Sequence, residues 1–98
     1  MADFAALRYL EEYNKIADEL ADMDVALLIL NAGYCVLGPY KDLNTNEVES
    51  LIQVNAVQVA YFIKAMSKQL LGRRDKTGKK AGLMTVGSQH SERPNAGF

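Results

Sequence analysis

The sequence predicts an α/β fold: part of a doubly wound parallel sheet in the order helix, strand, helix, strand. Three observations predict it. Residues 5–21 repeat apolar side chains at helical spacing; residues 25–30 form an unbroken apolar run; and a long helical pattern joins that run to a second short apolar segment at 81–87. Helices alternating with short, non-alternating apolar strands are the pattern of a parallel sheet covered by crossover helices.

In the first helix Leu10, Tyr13, Ile16, Ala17 and Leu20 recur at three- and four-residue steps, with Glu11, Glu12, Lys15, Asp18 and Glu19 between them. Asp22-Met23-Asp24 breaks the pattern. Val25 to Leu30 then reads as a buried strand, because six residues closed by Asn31-Ala32-Gly33 suit a strand better than a helical turn. Residues 32–44 form a loop punctuated by Gly33, Gly38-Pro39 and Asn44. A long helix is expected from Asn44 or Thr45, either of which can cap it, to about Leu71, stopping at Gly72. Residues 72–80, with five Lys/Arg and one Asp, read as a solvated basic loop. The second strand occupies 81–87, and the polar tail from Ser88 to Phe98 reads as a loop. Consecutive crossovers in one direction place both helices on one face of the sheet. The other face of Val25 to Leu30 should therefore be bare and both sheet edges open.

Bulk properties narrow the function classes. A chain of 98 residues is one domain at most, and at this size it buries roughly 60–65% of its unfolded surface. A net charge of −1 provides no field to recruit nucleic acid. One cysteine, Cys35, excludes an internal disulfide and fits a reducing compartment. The longest apolar run has six residues, against the ~20 of a spanning helix. The start lacks the pattern of a secretion signal, so a cytoplasmic location is expected.

In such sheets ligands gather at the carboxyl ends of the strands, here Asn31-Ala32-Gly33 and Gly87-Ser88. Asn55 lies on the long helix with Leu51, Ile52 and Val59 three or four residues away, so it should point along the apolar stripe. A buried amide without partners costs about 1–3 kcal/mol, so something should be bonded to it. Each residue also has a plain reading: an edge Asn touching a loop carbonyl, a small-residue turn, a turn Ser. His90 has no Asp or nucleophile at a telling spacing and reads as an exposed loop residue.

Taken in order, Asn31-Ala32-Gly33, Val54-Asn55 and Gly87-Ser88 resemble the central part of the short-chain dehydrogenase/reductase family. That family carries Asn-Asn-Ala-Gly after its fourth strand, an Asn in the next helix and a Ser after its fifth strand. The 24-residue step from Asn31 to Asn55 suits it, and Asp3-Phe4 resembles the pair that holds the cofactor's adenine after the third strand. Asp3-Phe4, Tyr13-x-x-Ile16 and Asp24-Val25 leading to Asn31-Ala32-Gly33-Tyr34 are similar to the 3-oxoacyl-CoA reductase and hydroxysteroid dehydrogenase branch. Two departures stand out. Leu30 replaces the first Asn of the family's pair, and the basic stretch 72–80 is a few residues longer than usual.

The resemblance implies a Rossmann-type sheet of which residues 1–98 are the central part, truncated at both ends. It implies hydride transfer between NADP or NAD and a small carbonyl or alcohol substrate, with Asn55 and Ser88 as catalytic residues. Asp3, Asn31, Ala32 and Gly33 would lie on the cofactor. It also implies no metal and a homo-oligomeric parent, with the endoplasmic reticulum membrane as the location if that parent has an upstream anchor. The family's catalytic Tyr and its Lys are missing, since none of the tyrosines is followed four residues on by Lys. The family's spacing puts that Tyr roughly two to four residues beyond Phe98. The chain alone is therefore expected to be inactive. The competing expectation is a non-catalytic half of a nucleotide-binding fold that serves binding or dimerisation.

Overall fold

The computed structural model describes residues 2–92. Its ordered elements are helix α1 (Leu10–Glu19), strand β1 (Leu27–Leu30), helix α2 (Thr45–Ile52), a π-turn (Gln53–Val57), helix α3 (Gln58–Thr77) and strand β2 (Gly82–Thr85). Short 3-10 turns at Tyr40–Asp42 and Gln89–Ser91 interrupt the loops. β1 and β2 pair in parallel, Leu27 opposite Gly82 through Leu30 opposite Thr85. This is a partial Rossmann-type α/β sheet, the fold class that the apolar patterning predicts.

The core lies between the sheet and the two long helices. Tyr13 of α1, Leu30 of β1 and Phe62 and Met66 of α3 are buried together. Tyr13 meets Phe62 edge-on at a 5.5 Å centroid distance, and Phe4 meets Phe62 edge-on at 5.7 Å. Along the rod formed by residues 45–77, Val54, Gln58, Phe62 and Met66 are buried at four-residue steps, which is one helical face, and Gln53 is buried beside Val54.

The boundaries differ from the sequence reading for identifiable reasons. α1 begins at Leu10, not residue 5, because two carboxylates take the backbone donors ahead of it. Asp3 accepts from the Ala5 N–H at 3.0 Å, while Glu12 accepts from Arg8 and Tyr9 at 2.7 and 2.8 Å. These bonds hold the Glu12 carboxyl below its ordinary range. The long helix starts as expected: Asn44 Oδ1 accepts from the Glu47 N–H, and Glu47 accepts in return from the Asn44 N–H. It does not stop at Gly72. It runs to Thr77 and ends at Gly78, whose φ of +72° is the left-handed cap that glycine adopts without a Cβ penalty.

Most of the supposed basic loop is therefore the last turns of α3, and one of its arginines has a structural task. Arg73 donates to both carboxylate oxygens of Asp24, at 2.7 and 3.0 Å, and to the Lys80 carbonyl. It thus ties the approaches to both strands to the helix, and its donated bonds hold the Asp24 carboxyl below the usual range. The polar tail opens with the 3-10 turn at Gln89–Ser91, and the rest of the expected tail loop, residues 93–98, lies outside the described residues.

The helices cover Leu28 and Leu30 on one face of β1, and the opposite face of the sheet is open. Leu27 and Ile29 of β1 are 53% and 50% exposed, Met84 opposite Ile29 is 46% exposed, and Val86 just past β2 is 50% exposed. Apolar strands with an uncovered face and free edges are templates for association. The isolated chain is expected to self-associate through this face. Ile29→Lys should shift its sedimentation towards monomer, whereas an unchanged oligomer would place the contact elsewhere.

Candidate active site at the strand ends

The chain leaves β1 through Asn31-Ala32-Gly33 and turns beneath the π-turn of the long helix. Asn55 lies within that π-turn, where Gln58 N–H bonds back to the Gln53 carbonyl five residues earlier. Such insertions rotate side chains off the regular helical register and recur at functional sites. Asn55 is consequently not buried in the apolar stripe, as its spacing suggested. It is exposed, and the stripe passes through Val54.

The partner demanded of Asn55 is present. Its Oδ1 accepts from the Tyr34 N–H at 3.0 Å, and its Nδ2 donates to the Tyr34 carbonyl at 2.7 Å. This two-point clamp fixes the loop after β1 against the helix. A Cβ added at Gly33 would meet only Asn55 Oδ1, at 3.5 Å, an ordinary contact. The turn's smallness is thus not required by packing within the chain, and it leaves the strand end open to the close approach of a ligand.

Ser88 follows β2 and caps the 3-10 turn; its Oγ accepts from the His90 N–H at 3.2 Å. Ser88 and Asn55 line the same open cavity of about 300 Å³ with Tyr34, Cys35, Tyr40, Leu43, Leu51 and His90. Asn31 and Ala32 line a neighbouring groove of about 130 Å³ with Phe4, Leu30, Gln58 and Phe62. Asp3 adjoins that groove through Phe4, while its own carboxylate caps the Ala5 turn. The sequence candidates thus fall in two adjoining places, Asn55 with Ser88 and Asn31 with Ala32, with Gly33 between them.

Two glutamines were overlooked in the sequence, although both interrupt an apolar helical face. Gln53 is buried and donates to the Leu7 carbonyl and the Tyr13 hydroxyl. Gln58 is buried and reaches the Ala32 carbonyl at 3.5 Å. They brace the π-turn from both sides, one against the N-terminal segment and one against the strand end. Burial pushes the Tyr13 hydroxyl above the ordinary phenol range; in the core it donates to the Leu7 carbonyl and accepts from Gln53 Nε2. Among the described residues no cluster of His, Cys, Asp and Glu could hold a metal ion, and no helix is long and apolar enough to cross a membrane.

No protein-family model matches the chain, and no curated protein is similar to it in sequence. Solved structures are similar in fold. A protein described as an NAD(P)-dependent gluconate 5-dehydrogenase from Beutenbergia cavernae, with bound NADP, matches 99% of the chain at 21% identity and a TM-score of 0.79. A bulky-bulky ketone specific alcohol dehydrogenase from Comamonas testosteroni matches 99% at 23% identity and a TM-score of 0.74. The NADH-dependent reductase A1-R' complexed with NAD matches 98% at 18% identity and a TM-score of 0.78. The chain spans 36% of the first two structures and 40% of the third. Its fold is that of part of these NAD(P)-dependent dehydrogenases and reductases.

Proposed function

We propose that residues 1–98 are the central portion of an NAD(P)-dependent oxidoreductase that moves hydride between a nicotinamide and a carbonyl or alcohol. The observation that carries this reading is the shared cavity of Asn55 and Ser88 beside the Asn31-Ala32-Gly33 turn, at the carboxyl ends of two parallel strands. The nicotinamide nucleotide would supply the hydride. Asn31, Ala32 and Gly33 would lie against its flat ring, the small Ala32 and the Cβ-free Gly33 permitting close approach, and Asp3 beside Phe4 would lie towards its adenosine end.

Ser88 would donate its hydroxyl proton to the substrate oxygen and stabilise the negative charge that grows there. Its Oγ already accepts from His90, and among the described residues it donates no bond, so the proton remains for the substrate. Asn55 holds the loop and keeps one N–H and one lone pair beyond its two bonds to Tyr34, enough to position a water. The general acid and its lysine would come from polypeptide outside residues 1–98. The substrate branch favoured by the sequence is a 3-oxoacyl thioester or a steroid ketone. The bare sheet face of Leu27, Ile29, Met84 and Val86 favours the second reading, a non-catalytic dimerisation module.

The test is hydride transfer by a longer polypeptide carrying residues 1–98, read from the near-ultraviolet absorbance of the reduced nicotinamide with a ketone present. Ketone-dependent loss of that absorbance supports the enzyme. A folded polypeptide that binds no nicotinamide nucleotide supports the module.

A further inference from the structure

The net charge of −1 conceals a division along the chain. Between Lys64 and Lys80 stand seven Lys/Arg and one Asp, while all other residues together hold four Lys/Arg and eleven Asp/Glu. That stretch therefore carries +6 against −7 for the remainder. Cations in the last turn of α3 offset the helix dipole, but Lys64 and Lys68 lie well before that turn and gain nothing from it. Among the described residues only Arg73 of the seven forms an ion pair, with Asp24. Asp18 shares a groove with Lys68 and Lys76.

The cations also share a face. Phe62 and Met66 lie in the core, and at about 100° per residue Leu71 falls diametrically opposite Phe62. Leu71 is 79% exposed. Lys64, Lys68 and Arg74, all exposed, stand within about 60° of it along roughly 15 Å of helix. Asp75 is the one carboxylate on that ridge. A second copy seated here by symmetry would set the cations against one another, and like charges facing each other cost affinity. A nucleic acid would take the charges but has no place for the leucine between them. An anionic bilayer takes both, since its headgroups attract Lys and Arg and an apolar side chain reaches the acyl boundary.

We propose that the outer ridge of α3, Lys64, Lys68, Leu71 and Arg74, seats the protein on a membrane surface rich in anionic lipid. The cations lie among the headgroups and Leu71 dips beneath them. This docking does not depend on hydride transfer.

Flotation with lipid vesicles tests it, because self-associated chain sinks while bound chain rises. Vesicles of mixed phosphatidylcholine and phosphatidylserine should carry the chain upwards at low salt. They should release it at ~1 M salt, where the screening length is about 3 Å. Pure phosphatidylcholine vesicles should leave it below. Lys64→Gln, Lys68→Gln and Arg74→Gln combined should weaken binding on the order of a hundredfold, about fivefold for each cation. Leu71→Ala should weaken it by a smaller factor. Gln and Ala are good helix formers at exposed positions, so α3 should persist, with unchanged helical circular dichroism. Equal flotation with neutral vesicles would assign the contact to the bare sheet face and overturn the proposal, as would a triple variant that floats like the parent. Retention on polyglutamate beads without flotation on anionic vesicles would overturn it in favour of an acidic polypeptide.

Discussion

Phe62→Ala is expected to unfold the chain. Phe62 is 8% exposed and its ring edge meets both Tyr13 and Phe4, so it joins α1, α3 and the N-terminal turn. Removing a buried phenyl ring costs about 3–5 kcal/mol, transfer and cavity together. A domain of this size has only about 5–15 kcal/mol in all, at the lower end when one sheet face is uncovered. The far-ultraviolet circular dichroism of the variant should lose most of its helical signal at room temperature. Phe62→Leu, which keeps most of the volume, should retain it at a lower melting temperature. A Phe62→Ala chain melting with the parent would mean that the core lies elsewhere.

The second large effect concerns chemistry. In a polypeptide that carries this segment and transfers hydride, Ser88→Ala should lower kcat about 10²–10³-fold, the effect of removing one donor to a developing oxyanion. KM for the ketone should change far less, because the bond strengthens as charge accumulates on the oxygen. The side chain is exposed and only caps a 3-10 turn, so the fold should survive. A tenfold rise in KM with kcat unchanged would make Ser88 a binding group and remove it from the reaction step.

The strands and their order were legible because short apolar runs without alternation, bounded by turn residues and joined by a helical pattern, suit parallel strands. Val25 to Leu30 has no alternation and ends on Asn31-Ala32-Gly33, and the observed strand Leu27–Leu30 sits within it. Helix ends were harder. Gly72 looked like a stop, yet glycine inside a helix costs only about 1 kcal/mol, and the Arg73 bonds to Asp24 and Lys80 hold the next turn in place. The true stop, Gly78, takes the left-handed φ of +72° that caps the helix. The π-turn had no sequence signature in a strict helical count, so Asn55 was turned one step too far inward. Its need for a partner was legible from chemistry; the identity of that partner, a backbone peptide 21 residues earlier, was not. The share of the cavity belonging to Cys35, Tyr40 and His90 follows from the path of a loop and has no local pattern to reveal it.

The most direct measurement is the nuclear magnetic resonance of the Asn55 side-chain amide in the folded chain. One slowly exchanging Nδ2 proton bonded to the Tyr34 carbonyl is expected, with a protected Tyr34 N–H and shifts at both Asn55 and Ser88 when a small ketone is added. An Asn55 amide exchanging as freely as in a short peptide, with Ser88 unresponsive to the ligand that moves Asn55, would contradict this geometry.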